Sequence, residues 1–165
     1  MHGTSRGVGF HTHGPLVAYM ADCKGPCDVF DASGEVWFKI FETGLLPGWT
    51  VVDVDGWNQF PYTYDGWNVT IPQNLKPGHY LIRHEIIYIE NDPAQFYPYC
   101  AQLTVTGAEG KSPEKKDLVS FPGAYSLADP GIAIAGSFFA PGPTNYTIPG
   151  PRVWTGEEAH ATISP

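Results

Sequence analysis

Apolar positions along this chain come in short runs, each cut off by Gly or Pro. Leu16-Val17-Ala18-Tyr19-Met20 follows Gly14-Pro15, and Val36-Trp37-Phe38-Lys39-Ile40-Phe41 follows Ser33-Gly34. Trp67-Asn68-Val69-Thr70-Ile71 stops at Pro72, a longer run from Tyr80 to Ile89 follows the Pro77-Gly78 turn, and Cys100 to Thr106 alternates polar and apolar residues before Gly107. Such runs bounded by turn residues predict strands. Their number and spacing predict an all-β sandwich. Between them, Leu45 to Asp65 is too long for a hairpin turn and too apolar for a flexible linker. Ala108 to Asp117 reads as a charged surface loop, and the Pro and Gly-rich remainder reads as an extended tail without a second core. No internal repeat and no internal domain boundary is visible.

Composition agrees with that architecture. The 165 residues fit one domain able to bury a real core. The 19 Gly and 16 Pro argue against long helices. A formal net charge of -8, with only nine Lys and Arg spread along the chain, removes the electrostatic basis for gripping nucleic acid or an anionic membrane, so a neutral partner is expected. No apolar run reaches spanning length. The stretch from Met1 to Gly7 lacks the apolar core of a signal peptide, so a secretory signal, if used, lies outside this sequence.

The chemistry-bearing segment is Gln95-Phe96-Tyr97-Pro98-Tyr99-Cys100. It reads as a core strand, on which alternate residues share a face, so Gln95, Tyr97 and Tyr99 point one way and Phe96, Pro98 and Cys100 the other. An amide beside a phenol suits polar chemistry at a rigid surface. By itself the segment reads more simply as packing aromatics with a polar neighbour, because strands are rich in aromatic residues. Cys23-Lys24-Gly25-Pro26-Cys27 can close a small disulfide loop around its Gly-Pro turn. Zinc is the rival use of that pair, but no second pair completes a closed site. Cys100 is then left unpaired, as a free thiol, an intermolecular bridge or a cysteine missing its partner. Asn68-Val69-Thr70 and Asn145-Tyr146-Thr147 are glycosylation acceptor tripeptides at Asn68 and Asn145.

Several separated motifs point the same way. Gly14 to Met20, the Cys23 to Cys27 loop, Trp37-Phe38-Lys39-Ile40, Trp67 to Pro72, Leu75 to Glu85, Ala94 to Cys100, Asp129-Pro130-Gly131-Ile132 and Ile148-Pro149-Gly150-Pro151 together resemble the fungal lytic polysaccharide monooxygenases of auxiliary activity family 9, formerly glycoside hydrolase family 61. The resemblance implies an immunoglobulin-like or fibronectin-III-like antiparallel β-sandwich with long loops, and a secreted, monomeric copper enzyme. One copper ion, with dioxygen or hydrogen peroxide as co-substrate and an external electron donor, oxidises cellulose or a related β-1,4-glucan at C1 or C4. It implies Tyr97 as axial copper ligand, Gln95 as the amide beside the oxygen species, and Tyr146 as an aromatic that stacks on glucan. Imidazole suits copper, and outer partners tune it.

The chain departs from the family pattern at three places. The internal copper histidine would stand at Thr12, and His11 and His13 flank it, so either is a candidate ligand. A histidine expected after the Arg83-His84-Glu85 strand is replaced by Glu90, which alters charge and proton inventory, whereas His84 reads as a structural core histidine. The segment carrying the N-terminal copper histidine and the partner of Cys100 has no match; His2 is discounted as its substitute. The expected organisation is therefore a non-matching segment 1–13, a monooxygenase-like domain over 14–156 that is incomplete at its N-terminus, and a tail 157–165. Three functional classes follow: a copper oxygenase, a truncated and catalytically impaired polysaccharide-binding remnant, and a hydrolase using Glu85, Glu90 and Asp92.

Overall fold

A computed structural model describes residues 11–59, 61, 66–134 and 145–157. The readings made for His2, for most of segment 1–13 and for all but the first residue of the tail lie outside these residues. The described chain is all-β, with three single-turn 3-10 segments. Four antiparallel strands, β1 (Leu16–Asp22), β2 (Trp37–Thr43), β3 (Gly78–Tyr88) and β4 (Gln95–Val105), form one sheet in the order β2-β1-β3-β4. No described helix is long and apolar enough to cross a membrane.

The centre of the sheet follows from β1. Its residues Leu16 to Ala21 are all buried, the continuous apolar run expected of a strand covered on both faces. Alternation divides them. Val17, Tyr19 and Ala21 join Trp37, Trp57 and Ile87 in one cluster, while Ala18 and Met20 join Phe38, Ile40, Ile82 and Trp154 in the other. The loop between β2 and β3 is packed as its composition suggested. Leu45 bridges to Trp57, and the fully buried Trp57 donates its indole N–H to the Val51 carbonyl at 3.0 Å. Cys23 and Cys27 are joined by a disulfide just after β1, and Cys100 is a free, exposed cysteine.

The buried charged groups Lys39 and Glu85 are paired. Lys39, fully buried in β2, donates to Glu42 and to the Pro149 carbonyl, each at 2.8 Å, while burial pulls its pKa down. Glu85 pairs with Arg83 and accepts from the Tyr125 hydroxyl at 2.8 Å, with burial raising its carboxyl above the usual range.

Three expectations need correction. Among the described residues, the strand carrying Gln95 to Cys100 stands at the edge of the sheet and not in its core: β4 pairs there only with β3, and most of its residues are exposed. Pro98 fits that place, since a residue without an N–H is tolerated at a sheet edge. Trp67 to Ile71 is not a strand, because it has no ladder partner among the described residues; Val69 and Ile71 pack on the second cluster, and Trp67 lies edge-on to a half-buried His84 at 5.7 Å. The final stretch is not merely a tail, since the Trp154 N–H donates to the Lys39 carbonyl at 2.7 Å and its ring meets Phe38 edge-on at 5.3 Å.

Candidate functional site

The site forms where the segment entering β1 crosses the end of β3. Ile89 N–H donates to the His13 carbonyl and Ile87 N–H to the Pro15 carbonyl, at 3.2 and 3.1 Å. Between them Gly14 has φ +137, and a Cβ built on it would stand 1.9 Å from the Ile87 carbonyl oxygen. Only glycine allows this approach. The contact brings residues 11–13 beside Tyr88 and Glu90, and the register Tyr88↔Gln95, Ile86↔Tyr97 brings β4 to the same corner.

There His11 packs its ring against two phenols, 4.4 Å from Tyr97 and 4.6 Å from Tyr88 between centroids. Tyr97 donates its hydroxyl hydrogen to Gln95 Oε1 at 2.6 Å, as their shared face predicts. That bond uses the Gln95 carbonyl and leaves its amide nitrogen as a donor at an exposed surface. His13, in contrast, is buried and engaged at both ring nitrogens, with Nδ1 2.6 Å from Glu90 Oε1 and Nε2 3.2 Å from the Val52 carbonyl. Thr12 also donates to Glu90, at 3.1 Å. Burial, then the hydrogen bond and charge of Glu90, push the Tyr88 phenol up to about 12.

The structure therefore gathers Gln95, Tyr97 and His11 and gives His13 a different task. Tyr146 is not displayed as a stacking platform: its hydroxyl donates to the Gly131 carbonyl at 2.7 Å, its ring meets Trp57 edge-on at 4.8 Å, and burial raises its pKa strongly. Among the described residues the exposed aromatics are Tyr99 (76%), Tyr97 (42%) and Trp49 (40%). Asn68 and Asn145 are exposed. Glu85 is held by Arg83 and Tyr125, and Glu90 by Thr12 and His13, so neither is left as one of a hydrolytic pair. The sequence reading missed Tyr88 and the bonds of Glu90. Their i, i+2 spacing, mirrored by Gln95 and Tyr97 across a short connection, was the available signal.

Comparison with known proteins bears on this corner. The family model for Auxiliary Activity family 9 (formerly GH61) matches residues 4–146. The chain belongs to this family. It is 46% identical over 148 residues to AA9 family lytic polysaccharide monooxygenase B of Heterobasidion irregulare, a match covering 88% of this chain and 60% of that protein. It is 47% identical over 150 residues to AA9 family lytic polysaccharide monooxygenase C of Emericella nidulans, covering 87% and 60%. Among solved structures, HiLPMO9B superposes with a TM-score of 0.78 at 44% identity, over 88% of this chain and 64% of that one. A cellulose-active polysaccharide monooxygenase from M. thermophila gives 0.77 at 34%, over 88% and 67%. The fold is thus that of the immunoglobulin-like β-sandwich of this family. The chain spans about 60% of the length of these two curated relatives.

Proposed function

We propose that this chain takes part in copper-dependent oxidative cleavage of cellulose or a related β-1,4-glucan, with His11, Tyr97 and Gln95 as its contribution to the centre. The observation that supports this most directly is the joint placement of an imidazole, a phenol and an amide at one exposed corner of a family 9 domain. Imidazole nitrogen and phenol oxygen are donors that copper accepts. They make one corner of a site: among the described residues no group of three or more His, Cys, Asp or Glu side chains converges to hold a metal. His11 and Tyr97 would hold the ion. His13, with both ring nitrogens engaged, would not.

Bound copper would supply the one-electron chemistry by which dioxygen or peroxide, with an external reductant, removes hydrogen at C1 or C4 of the sugar. The protein's own residues set the stage for it. Gln95 fixes the direction of the Tyr97 hydroxyl and offers its amide N–H to an oxygen at the surface. Exposed Tyr97 and Tyr99 present phenol rings, which pack against sugars without charge, in keeping with the scarcity of basic residues. A secreted setting accords with the Cys23–Cys27 disulfide and with exposed Asn68 and Asn145.

The second reading, a catalytically impaired polysaccharide-binding remnant, is favoured by the exposed Tyr97 and Tyr99 rings, which can pack on sugar whether or not copper is held. Mass spectrometry of soluble products from amorphous cellulose separates the two. With copper, a reductant and peroxide, oligosaccharides oxidised at C1 or C4 are expected. Binding to cellulose without oxidised products would favour the remnant, and unoxidised reducing sugars alone would point to hydrolysis.

A further inference from the structure

Glu90 stands one residue beyond the last backbone bond between β3 and the entering segment, the one from Ile89 N–H to the His13 carbonyl. From there its carboxylate gathers two donors from the entering segment: His13 Nδ1 at 2.6 Å and Thr12 Oγ1 at 3.1 Å. Bonds to a carboxylate are shorter and stronger than those between neutral groups. The far side of the His13 ring meets the Val52 carbonyl at 3.2 Å. A single side chain thereby ties together the entering segment, the end of β3 and, through His13, the turn at Val52. We propose that Glu90 is a positioning residue, acting through Thr12 and His13 to hold His11 against Tyr97.

The geometry supports this in two ways. His11 lies one residue before Thr12 and two before His13, so a segment clamped at both has little freedom to carry the His11 ring away. Tyr88, which forms the other wall of the His11 slot at 4.6 Å, stands two residues before Glu90 at the end of β3. One carboxylate thus fixes the segment that bears His11 beside the end of β3, whose Tyr88 is a wall against which its ring rests. The alternative is that Tyr88 and Tyr97 hold His11 by ring packing alone. Any effect on copper rests on the function proposed above, whereas the positioning itself does not.

The test uses the metal-free full chain. Nuclear Overhauser contacts between the His11 and Tyr97 rings are measured in the unmodified protein, Glu90→Ala and Glu90→Gln, with thermal unfolding as the check on the fold. Glu90→Ala is expected to lose these contacts while still unfolding cooperatively. Glu90→Gln, which keeps an acceptor oxygen, is expected to restore them. Contacts of unchanged strength in folded Glu90→Ala would overturn the proposal. Should that variant not fold, Thr12→Val, which removes one donor, carries the test: weakened contacts support the positioning role, and unchanged contacts overturn it. Because no metal is present, failure of the copper reading in the product assay leaves this result standing, and the reverse also holds.

Discussion

Neighbouring histidines in this chain have been given different work by their surroundings. His11 packs on exposed Tyr97, His13 is spent on Glu90 and Val52, and His84 lies half-buried against Trp67. Burial lowers the His84 pKa from its ordinary value of 6.5. The folded state then binds fewer protons at this ring than the unfolded state just below that value, so stability rises with pH there and falls on acidification. Thermal melts from pH 7.5 down to 5 should show the melting temperature dropping below about pH 6.5. His84→Gln should reduce that slope, whatever it does to the melting temperature at neutral pH. At this scale the Gln95 and Tyr97 pair was legible, because strand alternation alone puts them on one face. The choice between His11 and His13 was not, since it depends on Glu90, 77 residues from His13 in sequence.

Among the elements, β1 and β4 show where reading by pattern succeeds and where it fails. An unbroken apolar run announces a strand covered on both faces, and β1 is one. The aromatic content of β4 suggested the same burial. The better sign was Pro98, because a missing N–H is tolerated only where no further strand pairs. Trp67 to Ile71 looked like a strand for its β-branched and aromatic residues, which served packing against other elements instead. The entering segment depends on Gly14, whose positive φ and lack of a Cβ permit contact with the Ile87 carbonyl. Gly14→Ala should therefore cost more than a surface change, about 1–3 kcal/mol for a side chain forced into such a backbone, and should displace residues 11–13 from β3. Denaturant unfolding measures the first effect, and loss of hydrogen-exchange protection at the Ile89 amide the second.

For the whole molecule, the fold class and the family could be read because ordered motifs extend over most of the chain, and the family model spans residues 4–146. The role of the C-terminal stretch could not, since a Pro and Gly-rich segment has no periodicity to show that Trp154 docks on Phe38 and Lys39. That docking makes the stretch part of the core. Trp154→Ala should lower the unfolding free energy by about 3–5 kcal/mol, the range for removing a large buried aromatic. A loss below about 0.5 kcal/mol, as for a surface position, would mean that the stretch is dispensable.

The central claim is that the corner built from His11 and Tyr97 is where copper binds. Isothermal titration of Cu(II) into the unmodified chain and into His11→Ala, side by side, tests it most directly. One copper per chain is expected in the first and a clear loss of affinity in the second, with both proteins melting cooperatively. Equal binding by the two chains, or none by the unmodified one, would contradict it.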